Sequence, residues 1–416
     1  MKRSPLVVIL FVAFVDLVGY GLIIPLQASY ADRLGASGFT FGLLVGVYAA
    51  MQFIFNPILG RLSDRIGRRP VLLLSIAGSV ASHVLLGVAD LMNSLPLLFA
   101  ARILDGVTGA NVATAQAYIA DVTADEDRAK GMGLFGAAFG LGFVIGPAIG
   151  AALAAIGSLI SGARYGTSWP AFGASAISIT ALVLVWRFLP ESRPRGIISE
   201  PVMPKLTPAR LRAAFRHPRL RELYLIVVWV TFSLVLLEVS FVYLCRHRFG
   251  LAETGTGLMF AYMGVIIVTV QGGLVGRLAK HFGEARILSI GPFFTSAGFA
   301  MLAAVSAVSV GAGAWGLLFG GCLVTLVGHG LTGPNLNALV SRQAKRDKQG
   351  ATFGLSQGLA SLSRAVAPPV GGWLYDVRPW LPYVTGAVLL LGVAMFASSI
   401  RAAQEAALRS DADRPA

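Results

Sequence analysis

Charge is scarce in this chain. Of its 416 residues only 13% are charged, 20 of them acidic against 34 basic, where soluble domains carry roughly a quarter. With 56% hydrophobic residues and a mean hydropathy of +0.73, a water-soluble fold is excluded. The formal charge of +14 raises nucleic acid as a partner, but the basic residues sit in short islands between apolar runs of eighteen residues or more, so no nucleic-acid surface is expected. Cysteine is equally scarce: Cys245 and Cys322 lie inside apolar runs, which leaves no disulfide framework, no CxxC and no metal site. No GxxxxGK[ST] provides for ATP hydrolysis and no HExxH for a membrane protease. Two apparent motifs also fail. GMGLFG at 131–136 lacks the βαβ context of a dinucleotide site, and GLSQG at 354–358 lacks the strand-turn-helix of a nucleophile elbow. No cofactor and no catalytic residue is expected, and energy must come from an ion gradient or from the substrate's own.

What the chain does have is long apolar runs. A bilayer core takes ~20 apolar residues per helix, which predicts twelve spans near 5–30, 41–60, 71–89, 96–119, 131–155, 169–189, 222–245, 255–276, 287–307, 313–339, 351–375 and 380–400. The first carries Asp16 and Pro25 without a cleavage site and reads as a retained span rather than a signal peptide. Of the 34 basic residues, 27 fall at the termini or in loops after even-numbered spans, against Arg33, Arg164, Arg246, Arg248 and Arg378 on the other side. Positive loops stay in the cytoplasm, so both termini are expected there. The stretch 190–220, with several prolines and a basic amphipathic piece at 208–217, divides a six-span half (1–189) from a second (221–402) and a tail (403–416). The halves repeat each other. GRLSDRIGRRPVLLL at 60–74 matches GRLAKHFGEARILSI at 276–290, and TGAN at 108–111 matches TGPN at 332–335. Paired halves with a substrate site between them near the midplane are the pattern of secondary transporters.

Three segments carry a family resemblance. GRLSDRIGRR (60–69) follows the second span, ARILDGVTGA (101–110) lies in the fourth, and GFVIGPAIGA (142–151) lies in the fifth, with Ala151 where a glycine is more usual. On these the chain resembles the major facilitator superfamily, in its drug/proton antiporter branch that includes the tetracycline-efflux proteins. The resemblance implies a twelve-helix, proton-driven exporter in a bacterial inner membrane, acting as a monomer. It departs from tetracycline efflux at Ser82 and Ile267, where those proteins carry an acid and a histidine, and at Glu238, where they carry no acid.

Intramembrane charges cost several kcal/mol and so face a cavity or a partner. Asp16, Tyr20, Gln27 and Tyr30 share an arc of roughly 80° on the first span, and Arg102, Asp105, Gly109 and Gln116 one of about 60° on the fourth. Arg102 and Asp105 pair at i,i+3, which leaves Asp16 and Glu238 as the carboxyls without an evident local counter-ion. A carboxyl facing each side of the membrane in turn can load a proton on one and release it on the other. If substrate or Arg102 stabilises its ionised form, protonation and substrate binding exclude one another, which is antiport. Tyr48, Gln52 and Asn56 recur on the second span, Thr231, Glu238 and Cys245 on the seventh, and Gln357, Ser361 and Arg364 on the eleventh. Tyr20, Gln27, Tyr48, Gln52, Gln116, Thr231, His329, Gln357 and Arg364 are the expected cavity lining, although polar side chains also join helix to helix without touching substrate. His83 and His329 titrate near neutral pH in water, yet a lone intramembrane histidine also serves as a structural hydrogen-bonder.

The resemblance makes 60–69 a conformational latch. Gly60 and Gly67 permit a tight turn, Asp64 can accept from amides at a helix N-terminus, Arg65 can pair with Asp121, and Arg68 and Arg69 complete the signature; the alternative is that the arginines set topology alone. Gly142, Gly146, Pro147 and Gly150, with Gly136 and Gly140, make a smooth, kinkable helix expected at the interface between halves. A cavity walled by apolar helices suits amphipathic small molecules. Import of a specific polar metabolite, and a sensor or membrane enzyme on the same fold, are the competing readings.

Overall fold

The computed structural model describes residues 5–109, 111–123, 128–192, 218–343 and 349–412. Among them the backbone is helical apart from short turns, as it must be where hydrocarbon offers no hydrogen-bond partner and each peptide group has to be satisfied within its own segment. Among the described residues eleven helices are long and apolar enough to cross a membrane, so the chain is a multi-pass membrane protein. The span expected at 351–375 is the continuous 29-residue helix Gln349–Val377. It falls outside that set because Gln357, Ser361, Ser363, Arg364 and the Pro368–Pro369 pair interrupt its apolar surface.

The chain forms two compact units. The first comprises Met1–Val202, Phe241–Val265 and Arg364–Trp373, the second Met203–Ser240, Ile266–Ser363 and Leu374–Ala416. In the first, α1 (Pro5–Arg33) packs against α6 (Arg128–Ser161) and α8 (Trp169–Phe188). There α2 (Gly38–Ile66) and α3 (Arg68–Leu91) both pack against α4 (Leu95–Thr108). The fourth span is broken after Gly109 and resumes as α5 (Asn111–Val122); α7 (Ala163–Gly166) is a single turn. Ser37 and Ser94 cap α2 and α4, each accepting from the amide three residues on. Ile9, Val12, Leu72, Ile76, Tyr118 and Phe135 are among the side chains that fill the core behind α1, α3 and α5.

The glycines of α6 let it approach α1 backbone to backbone. A Cβ at Gly142 would lie 2.7 Å from Leu17 Cβ, at Gly146 2.7 Å from the Val18 carbonyl, and at Gly150 2.8 Å from the Leu22 carbonyl. These three serve the packing of the first span inside its own unit. Other residues of α6 do meet the eighth span within this unit: Gly257 lies against the Pro147 carbonyl and Gly264 against Val144.

In the second unit α9 (Pro218–Tyr243, to Ser240) is followed by α10 (Glu253–Thr269), which enters it at Ile266, and by α11 (Val275–Phe282) after a π turn at Val270–Leu274. A second π turn, Leu244–Arg248, ends α9 and carries the buried Cys245 out of register with the half-buried Thr231 and Glu238. Then α12 (Glu284–Ala304) packs on α13 (Ala312–Gln343) and α15 (Leu381–Ala412), while α14 (Gln349–Val377) lies in this unit up to Ser363. Gly291 meets Thr332, Gly298 meets Thr325, and Gly328 meets Thr295, so threonine hydroxyls lie against glycine, and those of Thr295 and Thr332 donate to carbonyls of their own helices. The repeat recurs in backbone form: Gly67 and Gly283, equivalent in the two signatures, both have positive φ (107° and 79°) and both precede a new helix.

Candidate functional site

Asp16 lies midway along α1, beside a cavity of ≈ 10 Å³ that Val12, Leu17, Ile76, Asn111, Ala115 and Phe135 help to line. That is about the space one water molecule needs, so this point can hold a proton or a water but no drug-sized ligand. The carboxylate is met by a neutral amide: Asn111 Nδ2 donates to Oδ1 at 3.1 Å and to Oδ2 at 3.0 Å, and contacts Ser79 Oγ at 3.3 Å. Asn111 lies on α5, two residues beyond the helix break at Gly109. Sequence reasoning noted its recurrence, as TGAN and TGPN, without giving it a role.

On α4, Arg102 Nη1 pairs with Asp105 Oδ2 at 3.0 Å, as the i,i+3 spacing predicts, with both side chains buried. The guanidinium also lies 4.1 Å above the ring of Tyr48, within cation–π range. Gln52 Nε2 donates to Tyr48 Oη at 2.7 Å and to the Gly109 carbonyl at 3.3 Å. A continuous polar wall thus runs from Arg102 through Tyr48 and Gln52 to the helix break, and two residues later to Asn111 and Asp16.

The other expected cavity residues are less closely grouped. Gln27 is buried with its Oε1 unpaired. Tyr30 is fully buried, its hydroxyl donating to the Thr167 carbonyl. Gln116, Gln357 and Arg364 are exposed, Thr231, Glu238 and His329 half-buried, and the side chain of Tyr20 lies outside the described residues. His83 is buried between α3 and α8, with Ser178 Oγ 3.2 Å from its Nδ1, which is a structural contact.

At the end of α2 the structure corrects two pairings. Arg68, not Arg65, reaches Asp121, at 3.0 Å, and it also pairs with Asp64 at 2.8 Å and donates to Ser63 Oγ at 2.7 Å. Arg65, two residues before Gly67, is exposed. The acceptor at the N-terminus of α3 is Glu191, not Asp64: its carboxylate takes the Arg68 amide at 2.8 Å and the Arg69 amide at 3.1 Å. Arg69 donates to the Trp186 carbonyl, and Ser192 Oγ lies 3.2 Å from Asp121. Gly67 is required twice over, by its φ of 107° and because a Cβ there would stand 2.3 Å from Glu191 Oε2. Gly60 has open space around it, with its carbonyl accepting from Ser63. At the opposite ends of these helices Asp90 accepts from Arg33, Thr167 and Ser168, and Asp32 pairs with Arg246.

The family model described as Major Facilitator Superfamily matches residues 9–368 and 249–415. The class C tetracycline resistance protein of Escherichia coli is 31% identical over 409 residues, covering 94% of this chain and 95% of that one. Multidrug resistance protein 2 of Bacillus subtilis (strain 168) is 30% identical over 399 residues, covering 95% and 94%. Among solved structures, the human organic anion transporter MFSD10 (TETRAN) has the same fold, with a TM-score of 0.68 and 24% identity over 95% of this chain and 99% of that one.

Proposed function

The chain belongs to the major facilitator superfamily, and on that premise we propose that it is a proton-coupled exporter of amphipathic drug-like molecules that works by alternating access. The names of its relatives, tetracycline and multidrug resistance proteins at about 30% identity over nearly the whole chain, support drugs as the cargo. One observation carries the coupling: Asp16 lies beside a water-sized cavity and a neutral amide, and among the described residues no cation neutralises it there. A proton is the partner that suits such a carboxyl, and the adjoining Tyr48–Arg102 wall offers the aromatic and polar contacts that orient an amphipathic ligand. Glu238, half-buried on the seventh span, is a second coupling carboxyl.

On this reading the two six-span halves, 1–189 and 221–402, move about a midplane site, with both termini and the Arg68 cluster on the cytoplasmic side of a bacterial inner membrane. That cluster ties α2, α3 and the end of the fourth span together in one state and releases them in the other. The protein acts as a monomer, without cofactor or metal, and does no covalent chemistry.

Everted membrane vesicles test this. With an acid interior they accumulate ethidium or tetracycline, and a protonophore or Asp16→Asn abolishes the accumulation. Accumulation that survives both, or movement of a polar metabolite down its own gradient alone, overturns the reading.

A further inference from the structure

Asn111 stands where two networks meet. Its Nδ2 serves both oxygens of Asp16 and touches Ser79. Its Oδ1 is buried and has no hydrogen-bond partner among the described residues, and the residue as a whole is only 9% exposed. A buried amide oxygen left unpaired is costly, so it calls for a reason. An ionised Asp16 accepts only, which suits Nδ2. A protonated Asp16 carries a hydrogen that must be donated, and a half-turn of the same amide would present Oδ1 to it. The Ser79 hydroxyl donates or accepts and so accommodates either orientation. The preceding helix stops at Gly109, whose carbonyl is held by Gln52.

We propose that Asn111 is the positioning residue that reads the charge on Asp16 and transmits it, across the break in the fourth span, to the Gln52–Tyr48–Arg102 wall. The inference rests on the proton-coupled reading above. Besides Asp16, the charged and titratable groups among the described residues that bear on this cluster are Arg102 and Asp105 on α4 and His83 on α3, whose own hydrogen bond is to Ser178.

The test uses the full-length protein in detergent with a pH indicator. Proton release on adding ethidium or tetracycline is measured as a function of pH, together with the ratio of probe affinities at the alkaline and acid limits. Asn111→Leu removes both the donor and the acceptor at similar volume. Its release midpoint is expected to rise by about one pH unit, since the carboxylate loses its charge-assisted hydrogen bonds, and its affinity ratio to fall towards one. Asn111→Asp, which keeps the shape and sets a second carboxyl beside Asp16, is expected to release protons in two resolved steps. Either Leu readout at its wild-type value, or a single unshifted step in Asn111→Asp, overturns the proposal. If Asn111→Leu does not fold, the Asp variant decides alone. Wild-type protein that releases no proton with either probe overturns the export reading itself and this inference with it, whereas release that the Asn111 variants leave unchanged overturns the inference alone.

Discussion

Replacing Gly146 with alanine probes the packing that positions Asp16. The added Cβ would lie 2.7 Å from the Val18 carbonyl oxygen, 2.9 Å from the Leu22 nitrogen and 3.0 Å from the Gly21 carbonyl carbon. All three are backbone atoms of α1, so no rotamer change relieves them, and α1 and α6 must part by several tenths of an ångström along a seam that also includes Gly142 and Gly150. Overpacking of this kind costs about 1–3 kcal/mol. Gly136→Ala is the matched control, because it lies on the same helix with nothing within 4 Å of its Cβ and should gain up to about 1 kcal/mol from helix propensity. Unfolding of the purified full-length protein in detergent, followed by circular dichroism against temperature, should place Gly146→Ala below Gly136→Ala by ~2 °C or more. A Gly146→Ala protein as stable as the control would refute the claim that backbone contact between α1 and α6 is what Gly146 provides.

Arg68→Ala should lower stability by about 3 kcal/mol or more, since it leaves the Asp64 and Asp121 carboxylates without their shared cation, while the exposed Arg65→Ala should stay within about 0.5 kcal/mol of wild type in the same unfolding assay. Glu191→Ala should cost about 1 kcal/mol by uncovering the first amides of α3, and Gly67→Ala should cost at least as much, because its Cβ and the Glu191 carboxylate cannot share one space; protease protection of the 60–69 segment reads both. Asp90→Asn, which weakens the hydrogen bonds from Arg33, Thr167 and Ser168, should cost about 1–3 kcal/mol, measured by the same thermal unfolding.

The helices were legible in the sequence because hydrocarbon imposes one rule on every span, and runs such as 5–30 or 222–245 satisfy it on composition alone. The fourth span shows the limit of that signal. Its apolar pattern continues past Gly109, yet the helix stops there. A glycine followed closely by an asparagine is a stop and start signal, whereas the equivalent TGPN lies inside the unbroken helix Ala312–Gln343. The Arg102–Asp105 pair was legible because it is local. Partners remote in sequence were not: Glu191 lies more than 120 residues from the amides it accepts from, and no spacing rule selects it. The exchange of Arg65 for Arg68 has the same origin, since both sit in one basic loop and only the direction taken at Gly67 decides which of them meets Asp121. The glycines of α6 announced close packing, but a glycine surface does not name the helix that will lie on it.

The most direct test of coupling is proton movement by the purified protein in proteoliposomes enclosing a pH-sensitive dye, on addition of ethidium or tetracycline. Coupled export requires that substrate move protons in wild type and that Asp16→Asn abolish the movement while the protein remains folded. Substrate transport without proton flux, with Asp16→Asn and Glu238→Gln both behaving as wild type, would contradict the account and leave a facilitator.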